Sequence, residues 1–456
     1  MLAGVYTLSK TLFWFTNDLR LADNPALCQA LARQTELSFV YCIDPGLFNA
    51  GRYHCRSLGS RRYRFIVEAL EDLDARLQSR GQCLNVYYQN PLQVLARLCR
   101  EHAVDKVFYS VQAGYNENMI IGELRERLPN TDFVGIHTHT LFSQGDLPFP
   151  LGELPATFSQ FRRQLESRGN SVATPLPAPE FLGNPFIKSG IESRDWRARI
   201  PGPSASGETL FNGGETRGLR HLTEYFQHGY AQTYKATRNA LDDPTASTRF
   251  SPWLAQGCIS PRRVVSHLRR HEQDQGANES TYWIYFELLW REDFQWYARC
   301  HGRKLFRFQG LREHKPLTSF YPERFRQWCE GSTRFPVVNA CMKQLNATGY
   351  MSNRGRQLVA SCLVNELELD WRYGAAYFEE QLVDYDVASN WGNWQYLAGV
   401  GADPRGSRQF NLDKQTQTHD PEGDFIRRWG GAETCLEADS MDAVGWPLAP
   451  ALNDRA

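Results

Sequence analysis

The first 140 residues alternate between two kinds of pattern. Short apolar runs fall at Leu12–Phe15, Leu37–Ile43, Leu84–Tyr88, Lys106–Val111 and Phe133–Ile136, each of a length that suits a buried strand. Helix signals lie between them. Asn24-Pro25 and Asn90-Pro91 each set a capping side chain before a proline, which is tolerated at the first helical position because no bond needs its N–H. Strand, helix, strand repeated in this way predicts a parallel sheet with helices on its faces, an α/β Rossmann-like domain over residues 1–140. No GxGxxG follows the first strand, so the common dinucleotide fingerprint is absent.

The pattern then changes twice. Residues 141–210 carry PFPLGELPATF, TPLPAPEFLGNPF and PGPSASG, and this much Pro and Gly predicts a long connector wrapping between domains. From 211 to 430 the sequence is rich in Trp, Arg and Glu with few strand-like runs, which predicts an all-α unit. The last stretch, 431–456, is small and polar without periodicity and reads as a poorly ordered tail. A chain of 456 residues is long for one core, so two or three packing units are expected.

Composition narrows the classes. Hydrophobic residues make up 42% of the chain, as in a globular protein, yet no run of about 20 apolar residues is present to span a membrane. The start, MLAGVYTLSKTLFWF, has the pattern of neither a signal peptide nor a transit segment, and a cytoplasmic location is expected. The 51 basic residues balance 51 acidic ones, so nucleic acid would have to be held by a local basic patch over a short footprint. The 11 cysteines are scattered, with no CxxC pair and no His partner at zinc spacing. Neither a metal site nor a disulfide scaffold is expected, and reduced cytosolic thiols are the simpler reading.

Three segments could carry chemistry. In TYWIYFELLWREDFQWYARCHGR, helical spacing puts Trp283, Glu287, Trp290, Arg291 and Phe294 on one face. A carboxylate beside an indole can bond a base edge and stack on its plane; a core helix with an internal Glu287–Arg291 pair is the alternative. In STRFS, the residues Ser247, Thr248, Arg249, Phe250 and Ser251 precede Pro252, and hydroxyls at a helix start beside an arginine suit an anion, although an ordinary cap has the same pattern. In DYDVASNWGNW, Asp386, Asn390 and Trp394 share a helical face, with Asp384 close by. Two such acids need a positive group or a donor-rich ring between them; Arg356 is the candidate cation, and a polar turn between helices is the alternative.

Taken together and in order, FWFTNDLRLADNPAL, STRFSPWLAQGCISPR, TYWIYFELLWREDF, NATGYMSNRGRQLVAS, LDWRYGAAYFEEQLVDYDVASNWGNWQY and GVGADPR resemble the photolyase/cryptochrome superfamily. The stretches YKATRNAL and RQFNLDKQTQTHDPEGDFIRRW resemble its DASH cryptochrome branch. The resemblance covers roughly Thr11 to Trp429. It implies an α/β antenna domain, a connector and an all-helical domain holding non-covalent FAD.

Carried over by motif position, Tyr234, Ser247, Thr248, Arg249, Phe250 and Ser251 would cradle the FAD diphosphate and ribityl chain, with Arg291 near the phosphates. Asp384 and Asp386 would contact the flavin, Arg356 would pair with Asp384, and Asn390 would lie beside the flavin N5. Glu287, Trp290, Asn353 and Arg354 match positions that contact a flipped pyrimidine dimer. Trp394 and Trp371 match the inner members of a tryptophan chain that reduces the flavin in light. Its outer member would align near Thr318, where this sequence has no Trp, leaving Tyr321 or Trp328 as substitutes, with slow photoreduction as the alternative. Tyr396 stands where many photolyases of duplex DNA have a second Trp. Glu117 resembles the acid that holds a methenyltetrahydrofolate antenna, a solvated helix-start Glu being the alternative.

The implied function is light-driven repair of cyclobutane pyrimidine dimers, preferentially in single-stranded DNA, by a monomer. A blue-light photoreceptor that binds DNA or RNA and signals through flavin redox state is the second reading. An electron-transfer flavoprotein is a third, which leaves Glu287, Trp290 and Arg354 idle.

Overall fold

The computed structural model describes residues 9–32, 35–169, 171–187, 196–202, 209–402, 406 and 408–433. Five strands, β1 (Ser9–Phe15), β2 (Thr35–Ile43), β3 (Leu84–Tyr88), β4 (Lys106–Ser110) and β5 (Asp132–Ile136), form one sheet in the order β3-β2-β1-β4-β5. All pairings are parallel, with Phe13 beside Phe39 on one side and Phe108 on the other. The side chains of β1 explain why its run is continuously apolar. Phe13 and Phe15 enter the core on one face, Leu12 and Trp14 enter the core on the other, and helices cover both. Asn24 accepts a bond from the Leu27 N–H at 3.1 Å and Asn90 from the Leu92 N–H at 3.0 Å, so both Asn-Pro signals start helices as expected.

The Pro- and Gly-rich connector departs from expectation in one respect: it contains a helix, Phe158–Ser167, capped by Thr157. Phe158, Phe161 and Leu165 recur at helical spacing and are buried, so the segment has an apolar stripe that holds it against the molecule. From Glu215 onward the described chain is helical, with no strand. Its centre is the 23-residue helix Glu279–His301, capped by Asn278. The tail beyond residue 433 lies outside the described residues.

The two regions share one hydrophobic core, in which Phe13 and Phe39 of the sheet join Trp253, Leu288 and Trp296 of the helices. Buried polar groups lock the junction. Arg20, 1% exposed, donates to the Gly257 carbonyl at 2.9 Å and the Thr138 carbonyl at 2.8 Å. Glu292 accepts from the backbone N–H of Leu141 at 2.7 Å and of Phe142 at 3.3 Å. A side chain at Gly257 would place its Cβ 1.9 Å from the Asn17 carbonyl oxygen, and the residue has φ +63°; only glycine permits this approach. No described helix is long and apolar enough to cross a membrane.

Candidate flavin and substrate site

A cavity of about 570 Å³ opens among the helices of the C-terminal region, within the range of roughly 300–1,000 Å³ usual for cofactor-sized sites. Three segments far apart in sequence build it. The loop ahead of helix Ser251–Ala255 contributes Ser247, Thr248, Arg249, Phe250 and Ser251; the long helix contributes Glu287, Trp290, Arg291 and Phe294; the helix Val387–Leu397 and the turn before it contribute Asp384, Asp386, Asn390, Trp394 and Tyr396. Tyr234, Asn353, Arg354 and Arg356 complete the expected set at its wall. Trp371 and Glu117 do not line it.

The local geometry gives each side chain its position. Arg249 has φ +50°, a left-handed conformation that costs a non-glycine residue about 1–3 kcal/mol and clusters at ligand sites. The short helix that follows begins at Ser251 with Phe250 at its N-cap and no side-chain cap. The Arg356 guanidinium grips Asp384 through both carboxylate oxygens, at 3.0 and 2.8 Å, the pairing expected between these residues. Asp386 caps the helix Val387–Leu397 through the Ser389 N–H at 2.7 Å and also accepts from Gln295 at 3.0 and 2.9 Å. The Asn390 amide donates to the Ala375 carbonyl at 3.0 Å, which fixes the side chain.

The structure changes the picture at four places. Glu287 does not pair with Arg291; it pairs with Arg238, while Arg291 donates to the His139 carbonyl at 2.5 Å. Helix Tyr234–Thr237 packs beside the long helix and brings Arg238, at its C-cap, over Glu287, closer than the i+4 neighbour can come. Burial pushes the Glu287 carboxyl up, against the pull of Arg238. Trp290 is stacked on Phe158 at 3.8 Å and 14°, so one indole face is covered by the connector helix. Of the two residues weighed as substitutes for the outer tryptophan, Trp328 meets Trp394 at 6.2 Å between ring centroids, and Tyr321 lies under the Arg324 guanidinium. Finally, Glu117 is half-buried, and burial pushes its carboxyl up, with Glu379 and Asp386 adding to the rise across the domain junction. It is not a fully solvated helix-start residue.

Sequence reasoning missed several cavity residues. Arg238 and Arg408 add positive charge to the wall, and Tyr350, Phe378, Gln357 and Asn393 shape it. Arg238 stands within YKATRNAL and Arg408 within RQFNL, so both lay in stretches already singled out for another reason. Arg408 lies over the Tyr396 ring at 4.6 Å.

A cavity this size, part apolar and part ringed with hydroxyls, amides and arginines, fits a dinucleotide with an aromatic ring system. Residues 283–441 match the family described as the FAD binding domain of DNA photolyase, and residues 11–180 match the DNA photolyase family. The fold and the cavity are therefore those of a photolyase-type flavoprotein, and FAD is its core cofactor.

Similarity to full-length proteins narrows the class. A cryptochrome DASH of Idiomarina loihiensis is 53% identical over 439 residues, 96% of either chain, and one of Vibrio parahaemolyticus is 51% identical over 443 residues, 96% of this chain and 97% of that one. The crystal structure of a Synechocystis cryptochrome superposes with a TM-score of 0.87 at 38% identity, covering 93% of this chain and 89% of that one. A class III photolyase from Agrobacterium tumefaciens superposes with a TM-score of 0.79 at 27% identity, over 94% and 88% of the two chains. The chain belongs to the DASH cryptochrome family.

Proposed function

We propose that this protein uses light to split cyclobutane pyrimidine dimers, preferentially in single-stranded DNA. One observation carries the reading: Glu287, Trp290, Asn353, Arg354 and Tyr396 line the same cavity as Asp384, Asp386 and Asn390, so a lesion held by the first group would lie against a flavin held by the second. When bound, reduced FAD would supply the light-excited electron for splitting the dimer and take it back afterwards, with no net redox change.

The protein's part is placement and electrostatics. Thr248, Arg249 and Ser251 would hold the diphosphate, Arg356 fixes Asp384 at the cavity wall through both carboxylate oxygens, and Asn390 is pinned to Ala375. Trp394 and Trp371 would be the residues that relay an electron to the flavin. Arg238, Arg354 and Arg408 take the strand's phosphates as the local basic patch. Extruding a lesion is cheapest where pairing is already absent. Tyr396 in place of a second Trp weakens the wedge that would open a duplex, which supports the single-strand preference. Glu117 would hold a folate antenna.

A blue-light photoreceptor binding DNA or RNA is the second reading. The Glu287–Arg238 pair and the Phe158 cover on Trp290 favour it, since both engage groups that repair would turn toward a lesion. Light-dependent loss of dimers from single-stranded against duplex oligonucleotides tests the two. Repair of the single strand at the higher rate is expected; no repair of either assigns the protein to sensing.

A further inference from the structure

The aromatic residues around Trp371 hold a path outward. Trp371 is 1% exposed and donates its N–H to the Phe308 carbonyl at 2.9 Å. Its ring meets Trp391 at 5.8 Å and 77°. Trp391 donates its own N–H to Glu379 at 3.3 Å and to the Tyr385 hydroxyl at 3.2 Å. Beyond it Tyr53 lies 6.4 Å away, half-buried, with Tyr373 a further 5.1 Å from Tyr53.

The competing branch runs the other way. Trp328, 0% exposed, meets Trp394 at 6.2 Å and donates to the uncharged Val359 carbonyl at 2.9 Å. Its neighbour Tyr377, at 5.7 Å, has its hydroxyl bound to Asn346 at 2.7 Å. Two features separate the branches. An indole that has lost an electron is cationic, and although burial pushes the Glu379 carboxyl up, that group can ionise beside the cation, which an amide carbonyl cannot. A phenol gives up an electron readily only if its proton can leave. Tyr53 and Tyr377 are both half-buried, but the Tyr377 hydroxyl is taken up by the Asn346 side-chain amide, which is no base.

We infer that Trp391 and Tyr53 complete the relay: the oxidising equivalent leaves Trp371 through Trp391 and ends on Tyr53. This rests on the reading of Trp394 and Trp371 as the inner relay. Trp394 gives one electron to the light-excited flavin, Trp371 refills Trp394, and Trp391 refills Trp371. Tyr53 then refills Trp391 and releases its phenolic proton to water, leaving a neutral tyrosyl radical. A dissolved thiol restores Tyr53 by giving it a hydrogen atom, so one electron passes from thiol to flavin overall.

Time-resolved electron paramagnetic resonance of the FAD-loaded protein after a light flash reads the radical's identity directly. The wild type is expected to end on a tyrosyl signal. Tyr53→Phe should lose that signal and end on a shorter-lived tryptophanyl radical, and Trp391→Phe should lose it too. Tyr53→Phe removes one oxygen from a half-buried ring, so its fold and FAD content should match the wild type, and it decides the matter if Trp391→Phe folds poorly. An unchanged tyrosyl signal in Tyr53→Phe, or a wild type without one, overturns the exit. Loss confined to Trp328→Phe or Tyr377→Phe overturns it in favour of the other branch. Trp394→Phe separates the two claims: full radical yield there removes the inner relay and the exit with it, whereas silence there beside an unchanged Tyr53→Phe removes the exit alone.

Discussion

Glu287 and Arg238 face each other at the cavity wall, and burial raises the cost of leaving either one alone. In the repair reading a lesion competes for the Glu287 carboxyl and gains a bond that undamaged strands do not make. Glu287→Ala should therefore lower the yield of dimer splitting and weaken the preference for damaged strands. A lost bond of this kind costs about 1–3 kcal/mol, roughly fivefold to over a hundredfold in binding. Competition binding with damaged and undamaged oligonucleotides checks this. Trp394→Phe is expected to slow or abolish photoreduction while FAD stays bound, because Phe fills most of the indole's space and is far harder to oxidise. Unchanged photoreduction in that variant would remove Trp394 from the relay.

Asp293, next to these groups on the long helix, offers a test by pH. Burial pushes its carboxyl up to about 8, with Glu292 adding to the rise. The unfolded chain ionises it near 3.8, so between these values each rise in pH favours unfolding. Asp293→Asn removes that dependence. Its melting temperature should gain on the wild type as pH goes from 4 to 8, and a constant difference would contradict the assignment.

The charged and aromatic groups of the cavity that the sequence revealed stand in short, continuous motifs, and their roles came from the family resemblance of those motifs. STRFS, DYDVASNWGNW and the Glu287–Arg291 stretch each sit on one turn or one helix face, where spacing alone fixes which side chains share a side. The Glu287 partner was not legible: Arg238 comes from a different helix, and only packing decides that it wins over Arg291. The Trp391 contact has the same character. It joins two helices and the segment around Tyr53, and no periodicity in any one of them announces it.

Two helices in van der Waals contact set where Trp394 stands. A Cβ at Gly374, on Trp371–Gln381, would lie 2.2 Å from the Trp394 ring on Val387–Leu397. Gly374→Ala must push the indole or the helix aside, at an overpacking cost of about 1–3 kcal/mol. A lower melting temperature together with slower photoreduction is expected, and an unaltered rate would mean that Trp394 tolerates displacement. The connector helix Phe158–Ser167 belongs to the same scale. Phe158, Phe161 and Leu165 carry a helical stripe, but proline-rich stretches on both sides obscured it. Its stacking on Trp290 could not be read from pattern, because it depends on where the connector crosses the helical region.

At the scale of the whole molecule, the parallel sheet followed from the alternation of strand and helix signals, as did the helical character of the second half. The strand order and the junction did not. Arg20, Glu215 and Glu292 look like ordinary surface charges in the sequence, yet each is buried and bound to backbone across it; Glu215, for one, accepts from Leu21 at 2.7 Å and Ala22 at 3.0 Å. Because no cysteine or histidine lines the cavity among the described residues, FAD should leave with the supernatant on acid precipitation. Flavin retained on the pellet would contradict non-covalent binding. Ligand that binds only the folded state stabilises it, by about 2.7 kcal/mol at a hundredfold excess over Kd, so FAD-depleted protein should melt lower and recover on adding FAD.

The central claim is that one cavity holds both flavin and lesion, and the direct test pairs two readings on the wild type and Glu287→Ala: flavin stoichiometry, and light-dependent repair of a dimer in single-stranded DNA. The expected result is full FAD content in both, with repair in the wild type and a marked loss of it in the variant. Normal repair with depleted flavin in Glu287→Ala would contradict the account and leave Glu287 as a structural partner of Arg238.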